Sequence, residues 1–443
     1  MTKSETDRMQ NGLSRRRFLA GAATAAGAAA FAGAARAQSA LDGVLAAPNR
    51  GGWTDQFDTR AASVRNVASY QPVFSPETLS SMQQAAGHYQ EIVNAGGWPS
   101  IPDAGKLAVG AESPAVPALR QRLAISGDLD RQAGNSTAFD TYVDAAVKRF
   151  QARHGLPADG TVGEYTWKAL NVPADVRLNQ LYKNIDRLQK IQPDVGRFVM
   201  VNIPAAAIEA VENGRVVQRH TAVVGKIDRQ TPILDSKITN LNLNPYWHAP
   251  ASIVRKDIIP LMQKDPTYLT RNDIIIYGPD GGVIPPESIN WHSDEAVKYL
   301  FRQNPGRMNA MSSVKINFPN PYSVYMHDTP QQSVFSQLMR FESSGCVRVQ
   351  NVRDLIVWLA KDTPGWDRAA IEKTIAARTR QDVNFPNPVP LHFTYLTAWA
   401  TEPTVVQFRD DIYHLDGDAQ LAMNRLQTTA YSVGEQASAD LPY

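Results

Sequence analysis

Three kinds of apolar pattern follow one another along the chain. A small-residue apolar run from Ala20 to Ala35 comes first, and residues 38 to about 74 are then mixed and weakly patterned. Ser75-Pro76-Glu77 reads as a helix start, with Ser at the cap and Pro in the first turn, and predicts a helix to about Asn94. Gly96-Gly97-Trp98-Pro99 breaks it. Helical spacing returns from Ala115 to Val172: Val116, Leu119, Leu123 and Ile125 open it, a turn region spans Gly127 to Asn135, and Val143, Ala146, Val147 and Phe150 share one helix face. Asp175 to Ile191 is amphipathic, with Leu178, Leu181, Ile185, Leu188 and Ile191 on one side.

The period then changes from helical to alternating. Arg197 to Ile203, Ala207 to Glu212 and Val216 to Val224 are strand-like, with Pro204 and Asn213-Gly214 as turns; the latter is a strong hairpin signal. Helical and irregular pieces from Pro250 to Met311 read as an insertion into this β-rich part, and after Leu415 the chain becomes polar, as a flexible end. The expected fold class is α+β and multidomain. Its divisions are a leader over 1–37, a segment with a scaffold helix over 38–114, a helical unit over 115–172 and a second scaffold helix over 173–195. A mostly β domain follows over 196–415 with a helical cap over about 250–311, and then a tail over 416–443.

Composition adds few constraints. Hydrophobic residues are 43% and charged residues 20% of 443, and the formal net charge is +2. That balance gives no reason to expect nucleic acid as a partner. The N-terminus adds more: Ser14-Arg15-Arg16-Arg17-Phe18-Leu19 precedes the small apolar run, and Ala35-Arg36-Ala37 supplies a cleavage site before Gln38. This order resembles a twin-arginine export signal, implying a periplasmic protein with no stable membrane span in its mature form.

Export changes the meaning of the single cysteine, Cys346. A lone thiol cannot form an internal disulfide, and in an oxidising compartment it is a liability that catalysis would justify; a buried inert thiol is the alternative. His327 lies nineteen positions before it, and the segment between ends Ser343-Ser344-Gly345-Cys346-Val347-Arg348-Val349. In a Cys-His pair the imidazole takes the thiol proton, giving a thiolate near neutral pH, and a third group holds the other ring nitrogen. Gly345 permits an unusual backbone angle and close approach of a substrate carbonyl, and backbone N–H groups there, including that of Cys346, can serve as an oxyanion hole. Tyr246, Trp247 and Trp291 read either as core or as the lining of a groove. His248 and His292 have no partner at metal-ligand spacing, so neither metal nor organic cofactor is expected.

Two resemblances extend this reading. Phe150-Gln151, Gly155-Leu156, Asp159-Gly160 and Val162-Gly163 resemble the small three-helix peptidoglycan-binding module. His327, fifteen residues (328–342), then Ser343-Ser344-Gly345-Cys346 resembles the YkuD-type L,D-transpeptidase signature, with Ser344 where many members carry His. Val224-Gly225-Lys226, Thr231-Pro232, Asn244-Pro245-Tyr246-Trp247, Asn317-Phe318-Pro319-Asn320 and His327-Asp328-Thr329-Pro330 resemble the large periplasmic subgroup with a capping subdomain; Ser312 departs from it. The resemblance implies Cys346 as nucleophile, His327 as base, and the Asp328 carbonyl orienting the imidazole. Arg348 then binds a substrate carboxylate or braces the loop, and Ser343, Ser344, Tyr246 and Trp247 are substrate-side candidates. The implied partners are peptidoglycan stem peptides and glycan, with envelope proteins as a further acceptor. The implied reaction is 3→3 cross-linking through a cysteine thioester, with hydrolysis at the same site or a non-catalytic wall-binding scaffold as rivals.

Overall fold

Ser75 accepts a hydrogen bond from the Thr78 N–H and Pro76 begins helix α1, Pro76–Asn94, so the local cap chemistry fixes this start. The computed structural model describes residues 70–191, 194, 196–417 and 421. The export signal over 1–37 lies outside the described residues, as does most of the expected tail.

Helix α1 buries Met82, Ala85, Ala86 and Tyr89 against Leu178, Leu181 and Leu188 of the later helix Ala174–Lys190. Between them lies a three-helix unit: α2 (Val116–Ile125), α3 (Thr141–Arg153) and α4 (Glu164–Leu170). Asp140 caps α3 by accepting from the Tyr142 and Val143 N–H groups. The positions that repeat at helical spacing, Leu119, Leu123, Val143, Val147 and Phe150, form its core with Leu170. The unit is joined to the hairpin of Ala398–Glu402 and Val405–Phe408 by buried polar contacts. Arg153 forms a two-point ion pair with Asp128, at 2.8 and 2.5 Å, and also donates to the Val406 carbonyl. The His154 ring stacks on Phe150 at 3.8 Å and faces Phe408 at 5.3 Å.

The β domain is a sheet that closes on itself. Its strands are β1 (Arg197–Asn202), β2 (Ala207–Glu212), β3 (Arg215–Gly225) and β4 (Leu234–Leu243), with cap strands β5 to β8 intervening. After the cap come β9 (Val314–Asn317), β10 (Met326–His327), β11 (Phe341–Ser343), β12 (Val347–Val349) and β13 (Gln381–Thr394). The order β3-β12-β10-β9-β4-β13-β1-β2 returns to β3 through the β2–β3 hairpin, and β11 adds beside the end of β3. Asn213 and Gly214, both at positive φ (52° and 72°), make that two-residue hairpin link. Inward residues including Val201, Leu241, Ile316, Met326, Val347 and Leu391 pack with Leu355, Ile356 and Leu359 of helix Val352–Leu359.

The cap differs from the helical piece expected. Besides its helical turns it holds a four-stranded sheet, ordered β5 (Trp247–Ala249), β8 (Leu300–Gln303), β6 (Ile274–Tyr277), β7 (Val283–Ile284). Strands of two to four residues carry too few positions for alternation to show. The tail also begins later than expected. Asp416 is buried, accepts from the Thr397 hydroxyl at 2.5 Å and pairs with Arg187 at 2.7 Å, so position 416 is tied to the scaffold helix.

The Arg153–Asp128 pair gives a direct test of how the helical unit is held. Removing one partner of a buried pair leaves the other charge uncompensated, which destabilises by about 3–5 kcal/mol. Asp128→Ala should therefore lower the unfolding free energy measured in urea by that order; a loss under about 1 kcal/mol would contradict a structural role for the pair.

Candidate active site

The site is built where β10 runs parallel to β12, with Met326 opposite Val347 and His327 opposite Arg348. One position earlier, the Val347 N–H donates to the Tyr325 carbonyl at 3.0 Å, which brings Cys346 alongside Tyr325. Only Met326 and His327 are strand here, and a turn at Pro321 and Tyr322 precedes them. Asn320 braces that turn, accepting from the Tyr322 and Val324 N–H groups and donating to the Val324 carbonyl, while Ser323 sits at φ 58°.

The turn carrying Cys346 is held from inside and from behind. Gly345 has φ +109°, which favours glycine, and a Cβ there would also lie a tight 3.3 Å from the Gln230 carbonyl oxygen. Its N–H donates to Ser343 Oγ at 3.2 Å, and the Ser343 hydroxyl donates to the Cys346 carbonyl at 2.5 Å. Behind the turn, the Thr231 hydroxyl donates to the Gly345 carbonyl at 2.9 Å and accepts from the Gly225 N–H at 2.8 Å. The Tyr413 hydroxyl donates to the Gly225 carbonyl and accepts from the Thr231 N–H. Any Cβ on Gly225 would lie 2.2 Å from the Arg229 carbonyl oxygen, so loop 225–231 folds directly onto a residue with no side chain.

His327 is buried, with Nδ1 2.5 Å from the Asp328 carbonyl oxygen. A carbonyl only accepts, so Nδ1 carries the proton and Nε2 is left as the basic nitrogen. The Asp328 carboxylate is occupied elsewhere: it accepts from the Ser313 hydroxyl and N–H and from the Thr329 N–H. Burial, then the nearby Arg348 and Lys315 charges, hold His327 down at about 3. Burial pushes the Cys346 thiol above its ordinary value, against opposing contributions from the Tyr325 backbone and hydroxyl, Lys315 and Arg348. Burial thus pushes both groups toward their neutral forms, thiol and imidazole, where residue types alone suggest a thiolate.

The remaining candidates fall differently. Trp247 is buried in the cap core, where its indole hydrogen-bonds the Tyr325 hydroxyl, so it fills the core and does not line an open groove. Tyr246 is partly exposed, with the Arg302 guanidinium 5.0 Å from its ring centre. Trp291 packs against the cap core, its ring 6.2 Å from that of Phe301. Arg348 is buried on β12 between β3 and β10, which favours bracing and charge over direct capture of a carboxylate. Ser343 is consumed inside the turn, and the Ser344 hydroxyl accepts from Arg229 at 2.8 Å. The Gly345 N–H is taken by Ser343, which leaves the Cys346 N–H as the candidate oxyanion donor of this turn.

Several site residues escaped the sequence reading. Tyr325 contacts the Cys346 thiol, and its ring lies 5.6 Å from His327; alternation from His327 placed it on the same strand face. Lys315, opposite His327 across β9 and β10, has its ammonium 4.3 Å from the Tyr325 ring centre. Thr231 and Arg229 reach the nucleophile turn only through the tertiary fold. Among the described residues, no group of three or more His, Cys, Asp or Glu is placed to hold a metal.

Two family models match parts of the chain. Residues 196–366 match the L,D-transpeptidase catalytic domain of the YkuD family, and residues 112–170 match a "Putative peptidoglycan binding domain". A Haemophilus influenzae protein named "Putative L,D-transpeptidase" is 36% identical over 250 residues, covering 55% of this chain and 49% of its own length. The chain thus spans about half the length of that relative. Among solved structures, an L,D-transpeptidase from Xylanimonas cellulosilytica is 17% identical with a TM-score of 0.21, covering 66% of this chain and 99% of its own. One from Stackebrandtia nassauensis is 15% identical with a TM-score of 0.24, covering 67% and 95%.

The neutral resting pair predicts the reactivity of the sole cysteine. Alkylation of Cys346 by iodoacetamide, followed by intact mass, should accelerate with pH around a midpoint above the ordinary thiol value. Tyr325→Phe, which removes a hydroxyl that steadies the thiolate, should move the midpoint higher still. A rate already at its plateau at pH 7 would contradict the assignment.

Proposed function

We propose, from the premise that this chain carries an L,D-transpeptidase catalytic domain, that Cys346 and His327 carry out acyl transfer between peptidoglycan stem peptides. The observation that supports it is the held tautomer: with Nδ1–H given to the Asp328 carbonyl, His327 offers Nε2 as a neutral base next to the nucleophile turn. As Cys346 Sγ attacks the carbonyl of the third stem residue, a diamino acid, Nε2 takes the thiol proton. Lys315 and Arg348 favour the developing thiolate, and the Cys346 N–H meets the negative oxygen. The carbon–nitrogen bond to the terminal D-alanine breaks, the leaving amine takes the proton from the imidazolium, and a thioester remains.

The side-chain amine of a neighbouring stem then attacks the thioester, giving up its proton to His327, and a 3→3 cross-link forms as the carbon–sulfur bond breaks. An amine on an envelope protein is chemically equivalent as acceptor. Water as acceptor at the same thioester gives the hydrolytic outcome. The N-terminal export pattern supports a periplasmic location, where stem peptides are found. The three-helix unit supports retention on the wall.

Purified protein incubated with disaccharide-tetrapeptide should yield the cross-linked dimer with loss of D-alanine, followed by mass spectrometry. Cys346→Ala should abolish it, and His327→Gln should slow it by on the order of 10²–10⁴-fold. Tripeptide alone would favour hydrolysis, and activity surviving in Cys346→Ala would sink the mechanism. A base whose pKa is lowered stays active until the pH falls through that value. The acid limb of kcat/KM should therefore lie well below 6.5, toward about 3. A limb near 6.5 would contradict a desolvated His327.

A further inference from the structure

Arg229 stands between the cap and the nucleophile turn. Its Nη2 donates to Asp257 Oδ1 at 2.8 Å and its Nη1 to Asp257 Oδ2, while Nη1 also donates to Ser344 Oγ at 2.8 Å. Asp257 belongs to the π-helical turn Val254–Ile258, whose Val254 and Ile258 are anchored in the cap core. Arg229 belongs to loop 225–231, folded onto Gly225 and linked by Thr231 to the Gly345 carbonyl. Arg229 and Asp257 are largely shielded, with side chains 13% and 11% exposed.

The geometry of the guanidinium makes this more than a tether. A two-point pair with a carboxylate fixes the plane of the fork, and the directions of the other N–H bonds follow from that plane. Nη1 carries two hydrogens, one for Asp257 and one for Ser344. When Asp257 is in place, the second hydrogen is aimed at Ser344, two residues before Cys346. When Asp257 moves away with the cap, that aim is lost. We propose that Arg229 is a positioning residue that couples seating of the cap to alignment of the Cys346 turn. The proposal rests on Cys346 being the nucleophile, and it assigns Ser344, where related sequences often carry histidine, the role of hydrogen-bond acceptor for a cap-set arginine.

The test is a double-mutant cycle on Asp257→Asn and Ser344→Ala, both of which keep Arg229, read in kcat and KM for the tetrapeptide donor. Misalignment of this kind lowers kcat by on the order of ten-fold or more. Asp257→Asn should therefore reduce kcat with KM little changed, and adding Ser344→Ala should bring no further loss. Arg229→Lys, which keeps the charge but not the fork, should behave as Asp257→Asn. Additive losses in the double variant, or full activity in Arg229→Lys, would overturn the coupling. Urea midpoints measured in parallel separate misalignment from general destabilisation. If wild-type protein releases no D-alanine, the acyl-transfer reading fails by itself. The coupling is then read from Cys346 alkylation by iodoacetamide, where the same non-additivity is expected and additivity overturns it.

Discussion

The parallel pairing of β10 with β12 is the constraint on which the site depends. Two strands running side by side in the same direction cannot be joined by a tight turn, so the chain must cross over between them. That crossover, residues 328 to 346, contains both the Asp328 carbonyl that fixes the imidazole and the turn that presents the thiol. The register leaves no freedom: a slip of one residue would turn His327 to the other face of the sheet. Everything else around the site stabilises that short ladder. β3 and β9 flank it, loop 225–231 backs the cysteine turn, and the ring closure of β2 on β3 removes the free edge.

Burial follows from the same arrangement and sets the chemistry. A histidine and a cysteine enclosed by strands, with Lys315 and Arg348 nearby, do not form a resting ion pair. The cations oppose imidazolium, while desolvation outweighs their support for thiolate. In the proposed mechanism, proton transfer is deferred to the moment of attack, when the sulfur acquires a substrate carbonyl as partner. An unpaired thiol held neutral is also less open to oxidation than a standing thiolate.

What the sequence made legible was local. The Ser75 cap, the Asn213-Gly214 hairpin and the helical faces of the three-helix unit depend on neighbours a few positions away, and they stand where their patterns placed them. The cap sheet was missed because its strands are two to four residues long, and Trp247 stayed open between two readings because an aromatic near a motif looks the same whether it lines a groove or fills a core. His327 and Cys346 were legible through a motif. Tyr325 follows from strand alternation once the strand is known. Lys315, Thr231 and Arg229 lie between 12 and 115 positions from the residues they contact or face, and only the tertiary fold brings them there.

The claim at the centre is that Cys346 becomes covalently acylated by the donor stem peptide. Acid quenching during turnover, followed by digestion and mass spectrometry, tests it directly. The account predicts that the peptide containing Cys346 gains the mass of the tetrapeptide donor less D-alanine, as a hydroxylamine-labile thioester. Product accumulating while Cys346 stays unmodified, or an acyl group mapped to another residue, would contradict it.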